Sequence, residues 1–199
     1  MIRRLSLATM ALALSTAFPA AAHIQIFTGT LSGAAEAPPN SSFGTGSVTV
    51  TVDDHDFTMR VQTTFSGLTG NVTNAHIHCC TTTPGVLTAG VATPTPTFPG
   101  FPSGVKAGSY DRTFDMTLIS SFNSAFGAAA GGTALAAFNA LVGGMESGRA
   151  YLNIHTSFVP GGEIRAFLAP SPVPEPETCA LLLVGLGLVG FAARRKLAA

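Results

Sequence analysis

Gly46-Ser47-Val48-Thr49-Val50-Thr51-Val52-Asp53-Asp54-His55-Asp56 alternates small or polar residues with valine and then stops in a cluster of acids. Successive side chains of a strand point to opposite faces, so Val48, Val50 and Val52 share one face and the hydroxyls take the other. The polar cluster reads as a hairpin turn, and Phe57, Met59, Val61, Thr63 and Phe65 carry the apolar face of the returning strand up to Ser66-Gly67. The pattern recurs at Ile24–Leu31, at Phe114, Met116 and Leu118, at Leu152 and Ile154, and at Ile164. Short alternating strands with Gly and Asp turns predict a mainly β protein, an antiparallel Greek-key-like β-sandwich.

Two stretches break the pattern. Pro84 to Pro102 holds five prolines and predicts a long irregular loop. Residues 132–145, with Ala134, Leu135, Phe138, Leu141 and Val142 at helical spacing, predict one short helix ended by Gly143-Gly144.

The two ends belong to a different kind of sequence. Arg3-Arg4, an apolar run from Leu5 to Ala17, and Ala20-Ala21-Ala22 form the three parts of an export signal over residues 1–22, cut by signal peptidase. At the other end, residues 171–199 contain the stiff Pro172-Val173-Pro174-Glu175-Pro176, an uncharged run over 178–193 and then Arg194-Arg195-Lys196. Sixteen residues span about 24 Å as a helix, and snorkelling basic side chains extend the reach toward a bilayer core of about 30 Å. The basic cluster keeps its end cytoplasmic, which leaves the body outside the inner membrane.

Between them, residues 23–170 are long enough for one domain with its own core. Eight acids face five bases there, and the whole chain has zero net charge, no Trp and two Tyr. Neither a basic patch nor a stacking platform for bases is present, so nucleic acid is not an expected partner.

Asn74-Ala75-His76-Ile77-His78-Cys79-Cys80 concentrates two of the five histidines and two of the three cysteines. His76 and His78 share one side of a strand, and Tyr151, Asn153 and His155 share one face of another. Pairing those strands brings three imidazoles together, a donor set that suits Zn or Cu, with Glu163 as a fourth ligand or an orienting partner. The alternative is that the histidines, with Glu163 and Arg165, only hydrogen-bond across the sheet. Cys79 and Cys80 can bridge each other, bind metal beside the histidines or pair between molecules. Asp53, Asp54 and Asp56 read as a solvated turn rather than a calcium site. No catalytic motif is readable, and no enzyme is expected.

Several of these segments resemble the CHRD domain: Thr28-Gly29-Thr30-Leu31-Ser32-Gly33-Ala34-Ala35-Glu36-Ala37-Pro38-Pro39, Gly44-Thr45-Gly46, Ser66-Gly67-Leu68-Thr69, Ala75-His76-Ile77-His78, Ala150 to Thr156 and Gly161 to Ala166. Cys79-Cys80 follows the second His where that family commonly has Gly. The resemblance implies a β-stranded domain of no settled biochemical function. The tail, with Pro174, Glu175 and Pro176 followed by the apolar run and Arg194, Arg195 and Lys196, resembles the PEP-CTERM sorting signal of Gram-negative bacteria. That resemblance implies processing by exosortase after transient anchoring, and release to the cell surface or matrix. Copper-zinc superoxide dismutase also sets a His-x-His strand on a β-sandwich, but its bimetallic site resembles a set of six His and an Asp, more than this chain's five histidines can supply. The favoured expectation is a structural or adhesive module, set among exopolysaccharide. The alternative is a three-His metal-binding protein.

Overall fold

The predicted hairpin forms from β2 (Thr45–Asp53) and β3 (Thr58–Ser66), paired in register from Thr45↔Ser66 to Asp53↔Thr58. Asp53 Oδ1 accepts the backbone N–H groups of His55 and Asp56, both at 3.0 Å, and this closes the turn. Val48, Val50 and Val52 on one strand and Met59, Val61 and Phe65 on the other are buried, as the alternation requires. β1 (Ile24–Ser32) pairs along the whole of β2 and turns Phe27 and Leu31 inward.

This computed structural model describes residues 24–171, 182–189 and 194. The export signal expected at 1–22, the Pro174-Glu175-Pro176 motif, Arg195 and Lys196 lie outside the described residues. Of the expected span at 178–193, residues 182–189 are described and helical. Among the described residues no helix is long and apolar enough to cross a membrane.

The remaining strands are β4 (Val72–His78), β5 (Gly108–Asp115), β6 (Tyr151–Thr156), β7 (Ile164–Phe167) and β8 (Ala169–Ser171). All pair antiparallel in one curled sheet of order β4-β6-β7-β1-β2-β3-β5, with β8 also on β1. The mainly β, antiparallel expectation holds, but the strands form one continuous ladder instead of two separate sheets. The join is the segment 164–171. Its ends pair with β1, at Ser32↔Arg165 and at Thr28↔Ala169, while Ala166 and Phe167 pair with β6. Gly29 faces this corner, where a Cβ would stand 2.8 Å from both Ala166 Cβ and Phe167 O. Only a residue without a side chain lets the sheet bend there.

The strand predicted around Phe114 ends at Asp115. Met116 is buried beyond it and Leu118 is exposed. Two helices occur where one was expected, α1 (Ser124–Ala129) and α2 (Ala134–Glu146). Asn123 caps the first by accepting from the N–H groups of Ala125 and Phe126, and Thr133 caps the second. The Ala/Gly run between the two caps has no apolar period to announce a helix. α2 buries Ala137, Phe138, Leu141 and Met145, and it runs through Gly143-Gly144 instead of stopping there.

The proline-rich loop is irregular but forms part of the core. It crosses between the two edge strands, β4 and β5. Ala92 N–H and Phe98 N–H donate to the carbonyls of Ile77 and Ala75 at 2.9 and 3.1 Å, and Gly104 and Val105 exchange bonds with Val72. On the other side Tyr110 Oη and Arg112 Nη1 donate to Pro99 O. Phe98 is fully buried against Tyr110 and Phe114. A loop with few N–H groups to offer thus covers edges that would otherwise be open to pairing.

Candidate metal centre

Strands β4 and β6 pair with Asn74 opposite His155, His76 opposite Asn153 and His78 opposite Tyr151. The face carrying Ala75, Ile77, Leu152 and Ile154 goes into the core. The opposite face carries the polar row, so His76, His78 and His155 come together on one side of two neighbouring strands. Their ring centroids stand 5.8 Å (His76–His78), 5.4 Å (His76–His155) and 5.9 Å (His78–His155) apart. One nitrogen from each ring lies within 4.8 Å of the other two.

Which nitrogen each ring offers is decided by the backbone. His76 Nε2 is 2.7 Å from Pro96 O, His78 Nδ1 is 2.9 Å from Ala89 O, and His155 Nδ1 is 2.8 Å from Pro160 O. A carbonyl oxygen only accepts, so those three ring nitrogens carry the proton. The lone pairs fall on His76 Nδ1, His78 Nε2 and His155 Nε2, and all three are buried with no hydrogen-bond partner. Such orphaned acceptors cost roughly 1–3 kcal/mol each when nothing fills the space between them. Burial also lowers the pKa of all three, His78 to about 4, and mutual repulsion with His155 lowers those of His76 and His78 further. The cluster is therefore neutral at pH 7, with three lone pairs ready for a cation. An N–H donated to a carbonyl while the other nitrogen converges is the arrangement in which proteins hold metal-ligating histidines.

Around the cluster, His78 stacks on Tyr151 at 4.8 Å, and the Arg165 guanidinium lies over Tyr151 at 4.8 Å and Phe167 at 5.2 Å. Arg165 donates to Ala35 O and to Leu87 O, and stands 3.9 Å from Glu36. Glu36 Oε1 accepts from Asn153 Nδ2 at 2.7 Å. Burial raises Glu36 to about 7, against the opposing pull of Arg165.

Glu163, expected as a fourth ligand or an orienting partner, is not brought to the histidines. Fully buried, it accepts from Ser42 Oγ (2.6 Å), Thr156 Oγ1 (2.6 Å), Thr69 N (2.5 Å) and Gly70 N (3.1 Å). Burial alone would raise its pKa, but these hydrogen bonds outweigh it and hold the carboxyl below the ordinary range. It ties the β3–β4 connection to the β6–β7 end of the domain. Arg165, expected as another partner, reaches Glu36 and carbonyls instead.

Cys79 and Cys80 are joined to each other in a disulfide. Cys79 turns into the core, away from the histidine face, and both sulfurs lie against α2 near Ala140 O. A Cβ on Gly144 would collide with Cys79 Sγ and stand 2.6 Å from Cys80 Sγ. Neither sulfur is a free thiolate donor. The second grouping of possible ligands, Asp53, His55 and Asp56, is the exposed hairpin turn, where His55 Nδ1 pairs with Asp56 at 2.9 Å.

The groups that sequence reading missed are Glu36, Asn153 as its partner, and the three carbonyls. Glu36 had a signal, as the only acid among the apolar and small residues of 24–52. Carbonyls leave no signal, because every residue has one.

The family model of the CHRD domain matches residues 27–168, and that of the PEP-CTERM protein-sorting motif matches residues 172–196. No curated protein and no solved structure matches the chain.

Proposed function

Since the chain belongs to the CHRD domain family and carries a PEP-CTERM sorting motif, we propose that its domain is an exported transition-metal-binding module with His76, His78 and His155 as ligands. The sorting motif implies an exported protein, anchored through its C-terminal region and processed by exosortase. The observations that support metal binding are that one nitrogen of each ring lies within 4.8 Å of the other two, and that each ring keeps one buried nitrogen without a hydrogen-bond partner. Histidines that served only as cross-sheet hydrogen-bonders would have no reason to gather three unprotonated, buried nitrogens in one cluster. The burial of those nitrogens supports a binding role over a catalytic one.

The test is metal content and affinity of the full-length chain, purified without a histidine tag. One equivalent of Zn or Cu is expected, lost in His76→Ala and in His155→Ala and retained in His55→Ala, with circular dichroism confirming the fold of each. Binding no tighter than about micromolar for either metal would remove the reading.

A second reading, an adhesive role among exopolysaccharide, is supported by a shallow groove of about 380 Å³ on the outer face of β2, β3 and β5. Hydroxyl, amide and carboxylate groups of Ser47, Thr49, Gln62, Thr64 and Asp111 line it. Retention of the purified chain on extracellular polysaccharide, weakened in Gln62→Ala, is the expected result; no retention would exclude it.

A further inference from the structure

Resting on the metal reading of the three-histidine cluster, we propose that the site takes copper as Cu(I), in trigonal coordination, in preference to Cu(II) or Zn(II). Three observations on the cluster point the same way.

The first is charge. All three ligands are neutral imidazoles, and no carboxylate or thiolate joins them: Glu163 is consumed by four hydrogen bonds elsewhere, and the sulfurs of Cys79 and Cys80 are bonded to each other. A positive charge stands beside the cluster, with Arg165, 3.9 Å from Glu36, over the ring on which His78 stacks. The cost of burying an ion rises steeply with its charge, so a dication without an anionic ligand beside a guanidinium is penalised far more than a monocation.

The second is coordination number. Where a protein supplies three ligands, Zn(II) needs a water to complete its tetrahedron and Cu(II) prefers larger tetragonal sets, whereas d10 Cu(I) is satisfied by three in a buried site such as this one. Here the chain offers three nitrogens. Asn153 Oδ1 is buried without a partner, but an amide oxygen is a hard donor that suits neither soft copper nor a trigonal plane.

The third is shape. With metal–nitrogen bonds of about 2.0 Å the ion sits about 3.2 Å from each ring centroid, which places centroids about 5.2 Å apart in a tetrahedral set and about 5.5 Å apart in a planar one. Of the observed separations, 5.4 Å lies between the two values, closer to the planar one, and 5.8 and 5.9 Å exceed both. The rings are already spread for a three-coordinate ion, and the carbonyls of Pro96, Ala89 and Pro160 hold them there.

The test is the midpoint potential of copper bound to the full-length chain in detergent, together with anaerobic Cu(I) titration against a chromogenic chelator and parallel Cu(II) and Zn(II) titrations. Cu(I) bound at least 100-fold tighter than Cu(II) is expected, which raises the couple by about 120 mV over aqueous copper at 59 mV per tenfold. X-ray absorption of the Cu(I) form should show three nitrogen neighbours. A couple at or below the aqueous value, or four ligands around Cu(I), would overturn the preference for Cu(I) while leaving a metal site in place. Failure of all three ions to bind tighter than about micromolar would overturn the metal reading and this inference together.

Discussion

Glu36 and Glu163 are both buried carboxyls of one domain, yet their surroundings push them in opposite directions. Glu163 accepts four hydrogen bonds and stays ionised. Glu36 has the Asn153 amide, the Ala37 N–H and a guanidinium at 3.9 Å, and burial wins, raising it from 4.5 to about 7. A carboxyl whose pKa is raised on folding favours the protonated form. Its contribution to stability is complete below about pH 4.5 and is lost as pH rises through about 7. Glu36→Gln keeps the shape without the charge and should be more stable than the parent at pH 8, on the order of 2 kcal/mol, and nearly equal to it at pH 4. Thermal melts of both proteins across that range measure it. The three histidines oppose this slope, since their lowered pKa values make stability fall as pH drops below about 6.5, but they titrate alike in both proteins and cancel. Parallel curves would show that Glu36 ionises freely. Strand parity made the three histidines legible in the sequence, because alternation alone puts 76, 78 and 155 on one face once their strands pair. The place of Glu163 was not legible. It precedes β7, outside the ladder, so the parity that places strand residues has no hold on its side chain.

At the scale of elements, α2 carries two adjacent glycines with opposite meanings. Gly143 has nothing within 4 Å of an added Cβ, while at Gly144 the Cβ would run into the disulfide. Gly143→Ala should stabilise the domain by roughly 0.5–1 kcal/mol through helix propensity. Gly144→Ala gains the same propensity but must push sulfurs and helix apart, with an expected net loss of about 1–3 kcal/mol. Chemical denaturation of the two variants reads the signs directly, and equal signs would mean that the disulfide does not rest on the helix. Glycine pairs read as helix ends in sequence because they are poor helix formers. This helix continues since tertiary contact with Cys79 and Cys80, not local preference, decides position 144. The proline-rich loop was legible as irregular for the lack of N–H groups. Its burial was not, because Phe98 and Phe101, three apart, sit among Pro99, Gly100 and Pro102, which allow neither a helix nor a strand to present them.

The whole molecule combines a β domain with a tail that carries a PEP-CTERM sorting motif. Replacing Pro174-Glu175-Pro176 with alanines should leave the folded domain intact but hold the chain in the membrane fraction of cells that make it. Unchanged release into the medium would break the link between the motif and processing. The three groups that orient the histidines are backbone carbonyls of Ala89, Pro96 and Pro160. A side chain in that role is lost by a single substitution, whereas a carbonyl survives every one of them and yields only to a change in chain length. The orienting scaffold is thus written in the spacing of the loops rather than in their letters. Lineages can change the exposed letters of residues 84–102 and keep the site, provided they keep the buried Ala92, Thr93, Phe98 and Phe101 and neither insert nor delete.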